Sequence, residues 1–405
     1  MKLFKRKSAT DTNTIIIGAG PAGLAMAACL AKKGVDYVLL EKTNEVAPAW
    51  KSHYDRLHLH TAKEYSALPY YPFPKLFARY PARQQVVRYL EDYAQHFNIK
   101  PEFNHTVTNI RANGVGKKQT WQVTAQINPN HDTKVFNEVG GEQPLANGEK
   151  KTYTAKNLVI ATGYNRVPQM PSWEGLEGFT GTVMHSHDYK NGQPFKGKKV
   201  LVVGFGNSGA EISLDLWEHG ARPIQSVRSA VNVLPREVLG QPTLAMGIWQ
   251  QHLPPKLIDS INTTTSKILM GDLSKYGLKQ LDKGPMQTLK EKAQVPMLDV
   301  GTIDLIKRGE IIVYPGIEKF EGNEVLFSDG RRETIDALIL ATGYRPCVDA
   351  FLSEHKVLDN HGTPKSSGTE SKMDGLFFCG FYISPAGMFR EMAKEAKQIA
   401  KGIKK

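Results

Sequence analysis

The sequence predicts an α/β protein built on parallel sheets, and three patterns support this prediction. Two stretches, GAGPAG from Gly18 and GFGNSG from Gly204, each follow a short apolar run and precede a helical pattern. The stretches Asn157–Gly163 (NLVIATG) and Ala337–Gly343 (ALILATG) each predict a buried strand that ends at a glycine turn. This arrangement is typical of two Rossmann-like dinucleotide-binding domains.

The first unit carries an acid where a dinucleotide's ribose is usually bound. A strand is expected at Ile15–Ile17, a helix at Leu24–Lys33 and a second strand at Tyr37–Leu40. Glu41 ends that strand, about 20 residues beyond the glycines. An acid there binds the ribose hydroxyl pair and repels a 2′-phosphate. The first unit should therefore hold the adenosine half of FAD or NAD.

The second unit has the same order of elements but no acid at the position that follows its second strand. Its strand is predicted at Val200–Val203, its helix at Ser208–His219 with Gly220 at the end, and its second strand at Ile224–Val227. Arg228–Ser229 follows in place of an acid. A guanidinium and a hydroxyl suit a 2′-phosphate, which predicts NADPH, although a solvated strand end is the alternative interpretation.

The two strands that end in ATG bracket the second unit, which predicts that the NADPH-binding domain is inserted into the first dinucleotide-binding domain, the one expected to hold FAD or NAD. The expected boundaries are 1–166 and 341–405 for the two parts of that first domain. The NADPH-binding domain is expected at 167–340, with a helical insertion at about 238–300. Gly375–Gly380 should add a strand to the first domain, and Met388–Lys401 a closing helix.

Between the two units, the sequence predicts three further segments. Gln84–Phe97 is an amphipathic helix pattern, and residues 102–155 suggest β-hairpins with a polar insertion at Asn128–Lys150. Residues 45–85 are rich in aromatics, prolines and histidines. Because that segment is too long and apolar for a solvent loop, it is expected to cover a bound group, such as a flavin ring.

Composition excludes several classes of function. The chain has 405 residues and a net charge of +12, but its dense basic clusters are the termini, Lys2–Lys7 and Lys394–Lys405, so no nucleic-acid partner is expected. The three cysteines are far apart and form no CxxC, which argues against a dithiol relay and fits a reducing cytoplasm. The uncharged run from Thr12 to Ala31 resembles a membrane segment, but its glycines and Pro21 predict a nucleotide turn, so no integral membrane anchor is expected.

Alternating histidines raise the question of a metal site. His58 and His60 form one pair, and His185 and His187 form another. No carboxylate or cysteine pattern of metal-ligand spacing accompanies them, so no metal is expected.

A motif ahead of the second unit indicates the family. Phe179, Gly181, His185 and Tyr189 match the pattern FxGxxxHxxx(Y/F) within FTGTVMHSHDY. Together with the two glycine turns, this pattern resembles class B flavin-dependent monooxygenases, specifically the flavin-containing monooxygenase family. Stretches such as YDRLHLHTAKEYSALPYYPFP and LILATGYRP are most similar to the YUCCA-type indole-3-pyruvate monooxygenases, and the resemblance covers nearly the whole chain.

The resemblance implies FAD and NADPH as cofactors and assigns residues to each. Gly18, Gly20, Gly23 and Glu41 are expected to bind FAD, with Trp50, Arg56 and His60 near it. Those expected to bind NADPH are Gly204, Gly206, Ser208, Gly209, Arg228 and Ser229. Further residues expected to bind a cofactor are Pro21, Ala22, Lys42, Ala161, Thr162, Gly163, Asn207, Ala341, Thr342, Gly343 and Gly380. Lys63 is the candidate catalytic residue, and Lys63 and Arg236 are the cationic candidates for a substrate carboxylate.

The implied activity is an NADPH- and O2-dependent oxygenation through a C4a-(hydro)peroxyflavin. The expected substrate is a 2-oxo acid such as indole-3-pyruvate, which would lose carbon dioxide. Two alternatives remain open: N- or S-oxygenation of a small amine or sulfide, and an NADPH oxidase or flavoprotein reductase. The expected partners are therefore a small-molecule substrate and O2, with a homodimer as a further expectation.

Overall fold

The structure is a computed structural model that describes residues 11–114, 116–128, 148–243, 245, 248, 269–281, 295–384 and 386–405. Most of the polar insertion predicted at Asn128–Lys150 lies outside the described residues. The same holds for the basic cluster Lys2–Lys7 and for much of the helical insertion predicted at 238–300.

The first sheet has six strands, which are β1 (Asp11–Ile17), β2 (Tyr37–Leu40), β3 (His105–Asn113), β4 (Thr120–Ile127), β5 (Glu149–Ile160) and β20 (Leu376–Phe378). Five of them lie in the order β2-β1-β5-β4-β3, and β20 pairs with the carboxyl-terminal end of β5. β1 runs parallel to β2 and β5, whereas β3, β4 and β5 form antiparallel pairs. The stretch at Gly375–Gly380 thus adds the predicted strand to this sheet, since Phe377 pairs with Val159.

Both faces of the first sheet are covered, as its apolar strands require. Ile16 faces a core formed with helices α1 (Pro21–Lys33), α3 (Arg83–His96) and α6 (Met388–Gly402). Ile15, one residue away on the alternating strand, joins the opposite core with residues of 348–358. The short helix α2 (Pro48–Ser52) lies in the segment that follows β2.

The second sheet contains five parallel strands, which are β7 (Thr182–His185), β8 (Lys199–Val203), β9 (Arg222–Ser226), β14 (Ile312–Tyr314) and β18 (Ala337–Leu340). Their order in the sheet is β14-β9-β8-β18-β7. One face packs on helix α4 (Asn207–Glu218) through Val200, Val202 and Ile212. The other face packs through Leu201 on an antiparallel sheet of β15 (Ile317–Glu321), β16 (Glu324–Phe327) and β17 (Arg332–Thr334).

Short strand pairs and turns complete the described chain. β6 (Val167–Pro168) pairs with β19 (Tyr344–Arg345), β10 (Val233–Pro235) with β13 (Met297–Asp299), and β11 (Glu237–Val238) with β12 (Gln241–Pro242). Helix α5 (Thr302–Lys307) follows β13. Single 3₁₀ turns lie at Lys63–Tyr65, Gly116–Lys118, Leu176–Gly178, Gln193–Phe195, Leu273–Tyr276 and Val348–Ala350.

The predicted elements around the glycine turns are present, with shifted ends. α1 begins at Pro21 rather than Leu24, because a proline is preorganised for the first helical position. α4 ends at Glu218, and Gly220 has a φ of +79°, as expected for a glycine just past a helix end. The strand predicted at Ile224–Val227 is instead β9 (Arg222–Ser226), because its pairing with β8 begins at Arg222.

Candidate functional site

The two glycine turns have matching backbone geometry. Gly18 and Gly204, the first glycines, have φ values of +101° and +100°, a region that favours glycine. At the third glycines, a Cβ on Gly23 would lie 1.8 Å from the Gly18 carbonyl oxygen, and one on Gly209 would lie 2.0 Å from the Gly204 carbonyl oxygen. Only glycine therefore lets either helix pack so closely on its own turn.

Each glycine turn also packs closely against one of the two ATG segments. A Cβ on Gly18 would lie 2.8 Å from the Ala161 carbonyl oxygen, and a Cβ on Gly204 would lie 2.5 Å from that of Ala341. The Ala161 amide donates to the Ile17 carbonyl at 2.9 Å, and the Ala341 amide donates to the Val203 carbonyl at 2.9 Å. The sequence repeat ATG thus corresponds to a repeated contact in the two units.

The second glycine of each turn leaves open space at the start of a helix. Gly20 and Gly206 are the N-cap residues of α1 and α4, and neither helix start has a side-chain cap. A Cβ on either glycine would meet no described atom within 4 Å. A helix start with uncapped amides and open space beside its N-cap glycine fits a phosphate. Beside the first turn, the Thr162 hydroxyl is buried and has no hydrogen-bond partner within the described chain, which also fits a ligand there.

Glu41 is buried beside the first turn, with only 4% of its surface exposed. Its Oε2 accepts a hydrogen bond from the Ala19 amide at 2.7 Å, and its Oε1 accepts from the Thr43 amide at 3.0 Å. The carboxylate therefore holds the turn in place. Because each carboxylate oxygen has two lone pairs, it can also accept from a ribose hydroxyl. Nearby, Gly380 packs on α1, since a Cβ there would lie 2.9 Å from the Ala22 Cβ.

Arg228 and Ser229 lie just past the end of β9 and are both exposed. Within the described ranges, the Arg228 guanidinium has no hydrogen-bond or ion-pair partner, and its stem packs beside Gly316. An exposed guanidinium at this end of a parallel sheet fits a 2′-phosphate. Asn207 has a structural role, because its Oδ1 accepts a hydrogen bond from the Leu298 amide at 2.8 Å.

A junction of polar side chains joins the first unit to α4 of the second. His60 Nε2 lies 2.5 Å from Glu211 Oε1, and the Tyr54 hydroxyl donates to Glu211 Oε2 at 3.1 Å. Arg56 makes a forked pair with Glu218, with both N···O distances at 2.8 Å. Sequence reasoning missed this junction. The available signal was the spacing of Glu211, Asp215 and Glu218, which places three acids on one face of α4.

Glu211 is charged in this setting. Burial alone would raise its pKa, but His60 and the Tyr54 hydroxyl hold the pKa of Glu211 below its ordinary value of 4.5. Because the carboxylate is 3% exposed, it depends on these partners for its solvation.

Two of the residues that were predicted to lie near the flavin, Arg56 and His60, occupy this junction. Arg56 and His60 face α4 and bind its acids, so their polar atoms are engaged between the units. The Trp50 ring packs edge-on against Phe389 at 5.7 Å and His53 at 6.1 Å. Lys42, half-buried, follows Glu41 at the first turn.

The Lys63 ammonium binds backbone carbonyls of residues 74–77. It donates to the backbone carbonyls of Lys75, at 2.7 Å, and of Phe77, and contacts that of Pro74 at 3.4 Å. These contacts fasten the loop 74–77, which favours a structural role. The catalytic role of Lys63 stays a prediction.

The histidines are held by separate partners. His185 Nε2 lies 3.2 Å from the Gly343 carbonyl, and its Nδ1 accepts from the His187 amide at 3.0 Å. Burial lowers the pKa of His185 to about 4, against the effect of the Gly343 carbonyl. Burial, with His187 and Lys190 nearby, lowers the pKa of His53 to about 4 as well. In the ranges that the structure covers, no group of three or more His, Cys, Asp or Glu residues could hold a metal ion.

The remaining residues of the FxGxxxHxxxY motif pack the second unit together. A Cβ on Gly181 would lie 2.3 Å from the Phe179 ring and 2.4 Å from the Asp336 carbonyl oxygen, so the position requires glycine. The buried Tyr189 hydroxyl donates to Asp215 Oδ2 at 2.5 Å. The motif thus orders the strand β7 and fixes α4 beside it.

Comparison with known proteins identifies the class. A family model described as flavin-binding monooxygenase-like matches residues 11–361. The chain is an FAD-dependent oxidoreductase of the monooxygenase type, with FAD and NADPH as its cofactors. It belongs to the flavin-binding monooxygenase-like family.

The chain also resembles individual proteins over most of its length. It is 41% identical to indole-3-pyruvate monooxygenase YUCCA6 of Arabidopsis thaliana over 411 aligned positions, which cover 99% of this chain and 92% of that protein. It is 40% identical to the probable indole-3-pyruvate monooxygenase YUCCA3 of the same plant, with 94% and 84% covered. Among solved structures, a flavin-containing monooxygenase from Stenotrophomonas maltophilia has a TM-score of 0.69 at 20% identity, covering 97% of this chain and 98% of the other.

None of the helices in the described part of the chain has the length and apolar character needed to cross a membrane.

Proposed function

We propose that this protein is an NADPH- and O2-dependent monooxygenase that converts a 2-oxo acid such as indole-3-pyruvate to the shortened acid with loss of carbon dioxide. The observation that carries the proposal is the pair of matched glycine turns, each with an open helix start, in units joined by a polar junction. The identity of about 40% to proteins named indole-3-pyruvate monooxygenases supports the choice of substrate.

In this proposal, residues 1–166 and 341–405 form an FAD-binding domain, and 167–340 form an NADPH-binding domain inserted into it. Two observations support the boundaries. The ATG segments at 161–163 and 341–343 each contact the glycine turn of one unit, and β6 pairs with β19 where the chain leaves and re-enters the first unit. Both units are then Rossmann-like, with the dinucleotides at the carboxyl ends of β1 and β8.

The chain's own groups would bind each cofactor through the phosphates and the ribose. Amides at the start of α1 would bind the FAD pyrophosphate, and the Glu41 carboxylate would accept from the ribose hydroxyls. Amides at the start of α4 would bind the NADPH pyrophosphate, and Arg228 with Ser229 would bind its 2′-phosphate. Bound FAD would supply the redox chemistry and activate O2 at its C4a atom, and bound NADPH would supply the hydride.

The junction of Tyr54, Arg56, His60 and α4 would hold the two units at the distance that hydride transfer requires. Positioning of this kind lowers the barrier because the reacting groups are brought together before the reaction. The half-buried His53 and the buried His185 and Tyr189 would limit the access of water to the region where the two units meet. No proton transfer is assigned to His185, since its Nε2 hydrogen faces the Gly343 carbonyl.

The test is a stopped-flow experiment on the FAD-loaded protein. The flavin is reduced anaerobically with NADPH and then mixed with O2, with and without indole-3-pyruvate or phenylpyruvate. We expect a transient oxygenated-flavin absorbance, and one molecule of shortened acid and one of carbon dioxide per NADPH.

Other outcomes would contradict the proposal in distinct ways. Stoichiometric hydrogen peroxide with every substrate, and no transient, would indicate an NADPH oxidase. Oxygenated product from an amine or sulfide, but none from the 2-oxo acids, would indicate N- or S-oxygenation instead.

A further inference from the structure

A pocket of about 510 Å³ lies beside the junction between the two units. Its lining comprises Arg56, His58, Ala78, Arg79, Tyr80, Glu218, Arg236 and Val300. The volume is in the range of small-molecule sites, about 300–1,000 Å³. Both units contribute walls, so the pocket exists only when they are joined.

Among the residues that the structure describes, one cation of this pocket has no ionic partner. Arg56 is paired with Glu218 through a forked contact at 2.8 Å. Arg79 Nη1 lies 3.3 Å from Glu237 Oε1 and donates to the Gly240 carbonyl at 2.7 Å. Within the described residues, the Arg236 guanidinium has neither a hydrogen-bond nor an ion-pair partner. Counted over these described residues, the pocket has an excess of one positive charge, which suits a monoanion.

Arg236 is also held in a fixed orientation. Its guanidinium carbon lies 4.3 Å from the centroid of the Tyr80 ring, and its side chain is half-buried. Stacking on an aromatic face restrains the guanidinium and leaves its N–H edge free for a ligand. That edge matches the two oxygens of a carboxylate.

His58 contributes a polar group of the opposite kind. Its Nδ1 lies 2.7 Å from the Arg56 carbonyl oxygen, which can only accept, so Nδ1 carries the hydrogen. In the neutral ring, Nε2 is then an acceptor and would not bind a carboxylate. Arg236 is thus the group in this lining that is suited to bind the anion.

The pocket is adjacent to the junction that joins the two units. Residues 57–59 are extended, since the Leu59 amide donates to the Pro81 carbonyl and the Arg83 amide donates to the Leu57 carbonyl. A two-residue step along an extended chain is about 6.6 Å, which separates His58 in the pocket from His60 at Glu211.

We propose that this pocket receives the substrate and that Arg236, stacked on Tyr80, binds the carboxylate of the 2-oxo acid. The inference rests on the proposed function for its substrate class. Ala78 and Val300 provide apolar wall for the rest of the molecule. Arg236 is a specificity residue here, since it distinguishes a 2-oxo acid from an uncharged ketone.

The test compares Arg236→Gln with the conservative Arg236→Lys. The probes are phenylpyruvate and its neutral analogue phenylacetone, whose methyl group replaces the carboxylate. Equilibrium binding of each is measured on the FAD-loaded protein, with steady-state kinetics alongside. In Arg236→Gln, we expect phenylpyruvate to bind at least about tenfold more weakly and phenylacetone to be unchanged. Arg236→Lys should recover part of the loss, because it restores the charge without the fork.

The matched control is Arg331→Gln, which removes a guanidinium stacked on a tyrosine ring at 4.2 Å but outside the pocket lining. It should leave phenylpyruvate binding unchanged. The rate of flavin reduction by NADPH should match the wild type in all variants, which separates substrate recognition from a general structural defect.

The outcomes separate this inference from the proposed function. Equal binding of phenylpyruvate by wild type and Arg236→Gln, or no binding by the wild type, overturns the assignment of the pocket. Binding by the wild type that Arg236→Gln weakens, without any oxygenated product, supports the pocket and rejects the proposed reaction.

Discussion

His60 Nε2 lies 2.5 Å from Glu211 Oε1, a contact between residues 151 positions apart that joins the segment after α2 to the helix of the second glycine turn. The Tyr54 hydroxyl binds the other oxygen of the same buried carboxylate. One side chain of α4 therefore fixes two side chains of the first unit.

Glu211→Gln should weaken the junction and slow the transfer of hydride from NADPH to FAD. The amide removes the negative charge that faces His60, while its carbonyl oxygen can still accept from Tyr54. We expect a loss of about 1–3 kcal/mol in the free energy of unfolding, measured with urea on the FAD-loaded protein. The exposed Glu310→Gln, which changes an acid that accepts from Trp217, is the control. Unchanged stability and an unchanged reduction rate would contradict the role of this junction.

The buried Glu395 should make the protein less stable as the pH rises. Burial raises its pKa to about 7 from an ordinary 4.5, so the folded state holds a proton that the unfolded state has lost. Stability from this group is complete below pH 4.5 and declines through about pH 7. Glu395→Gln keeps an acceptor for the Gly380 amide, bound at 2.5 Å, and should be more stable at neutral pH by up to about 3 kcal/mol.

Urea unfolding across that range is the measurement. The difference between Glu395→Gln and wild type should grow with pH. A difference that is independent of pH would show that the carboxyl group is not protonated in the folded state.

Arg228→Ala should weaken NADPH binding far more than NADH binding. Removing the exposed guanidinium takes away the proposed partner of the 2′-phosphate, which NADH lacks, and we expect a loss of about ten- to a hundredfold for NADPH. The measurement is the rate of flavin reduction against the concentration of each nucleotide. Arg222→Ala, at the other end of the same strand, is a matched control. Equal losses for the two nucleotides would show that Arg228 does not recognise the phosphate.

Gly20→Ala and Gly23→Ala should fail in different ways. A Cβ on Gly23 would overlap the Gly18 carbonyl oxygen at 1.8 Å, so that variant should lose stability even without FAD. A Cβ on Gly20 meets no described atom within 4 Å, and its φ of −75° accepts alanine. Gly20→Ala should therefore keep the stability of the FAD-free protein but bind less FAD.

Flavin content and the unfolding midpoint of the FAD-free protein distinguish the two cases. If Gly20→Ala bound FAD as the wild type does, the open space above this glycine would not be the phosphate site.

Local patterns were enough to predict much of the fold. A strand, a glycine turn and a helix are each specified by residues that are close together in the sequence. Gly18–Gly23 and Gly204–Gly209 could therefore be identified directly. The ATG repeats predicted buried strands, and β5 and β18 end where those repeats begin. The segment at Gly375–Gly380 was predicted to join the first sheet, and its pairing with β5 agrees. The family also followed from motifs, and the family model confirms it.

The sequence alone thus determined the local turns, the apolar strands and the family of this protein. The tertiary structure decided which side chains meet between the units: Glu211 with His60, Glu218 with Arg56, and Arg236 with Tyr80. The physical reason is that periodicity reports which face of an element is apolar, whereas a contact between distant polar residues depends on how the units pack. For that reason Arg56, His60 and Lys63 were singled out from sequence, but their partners were not.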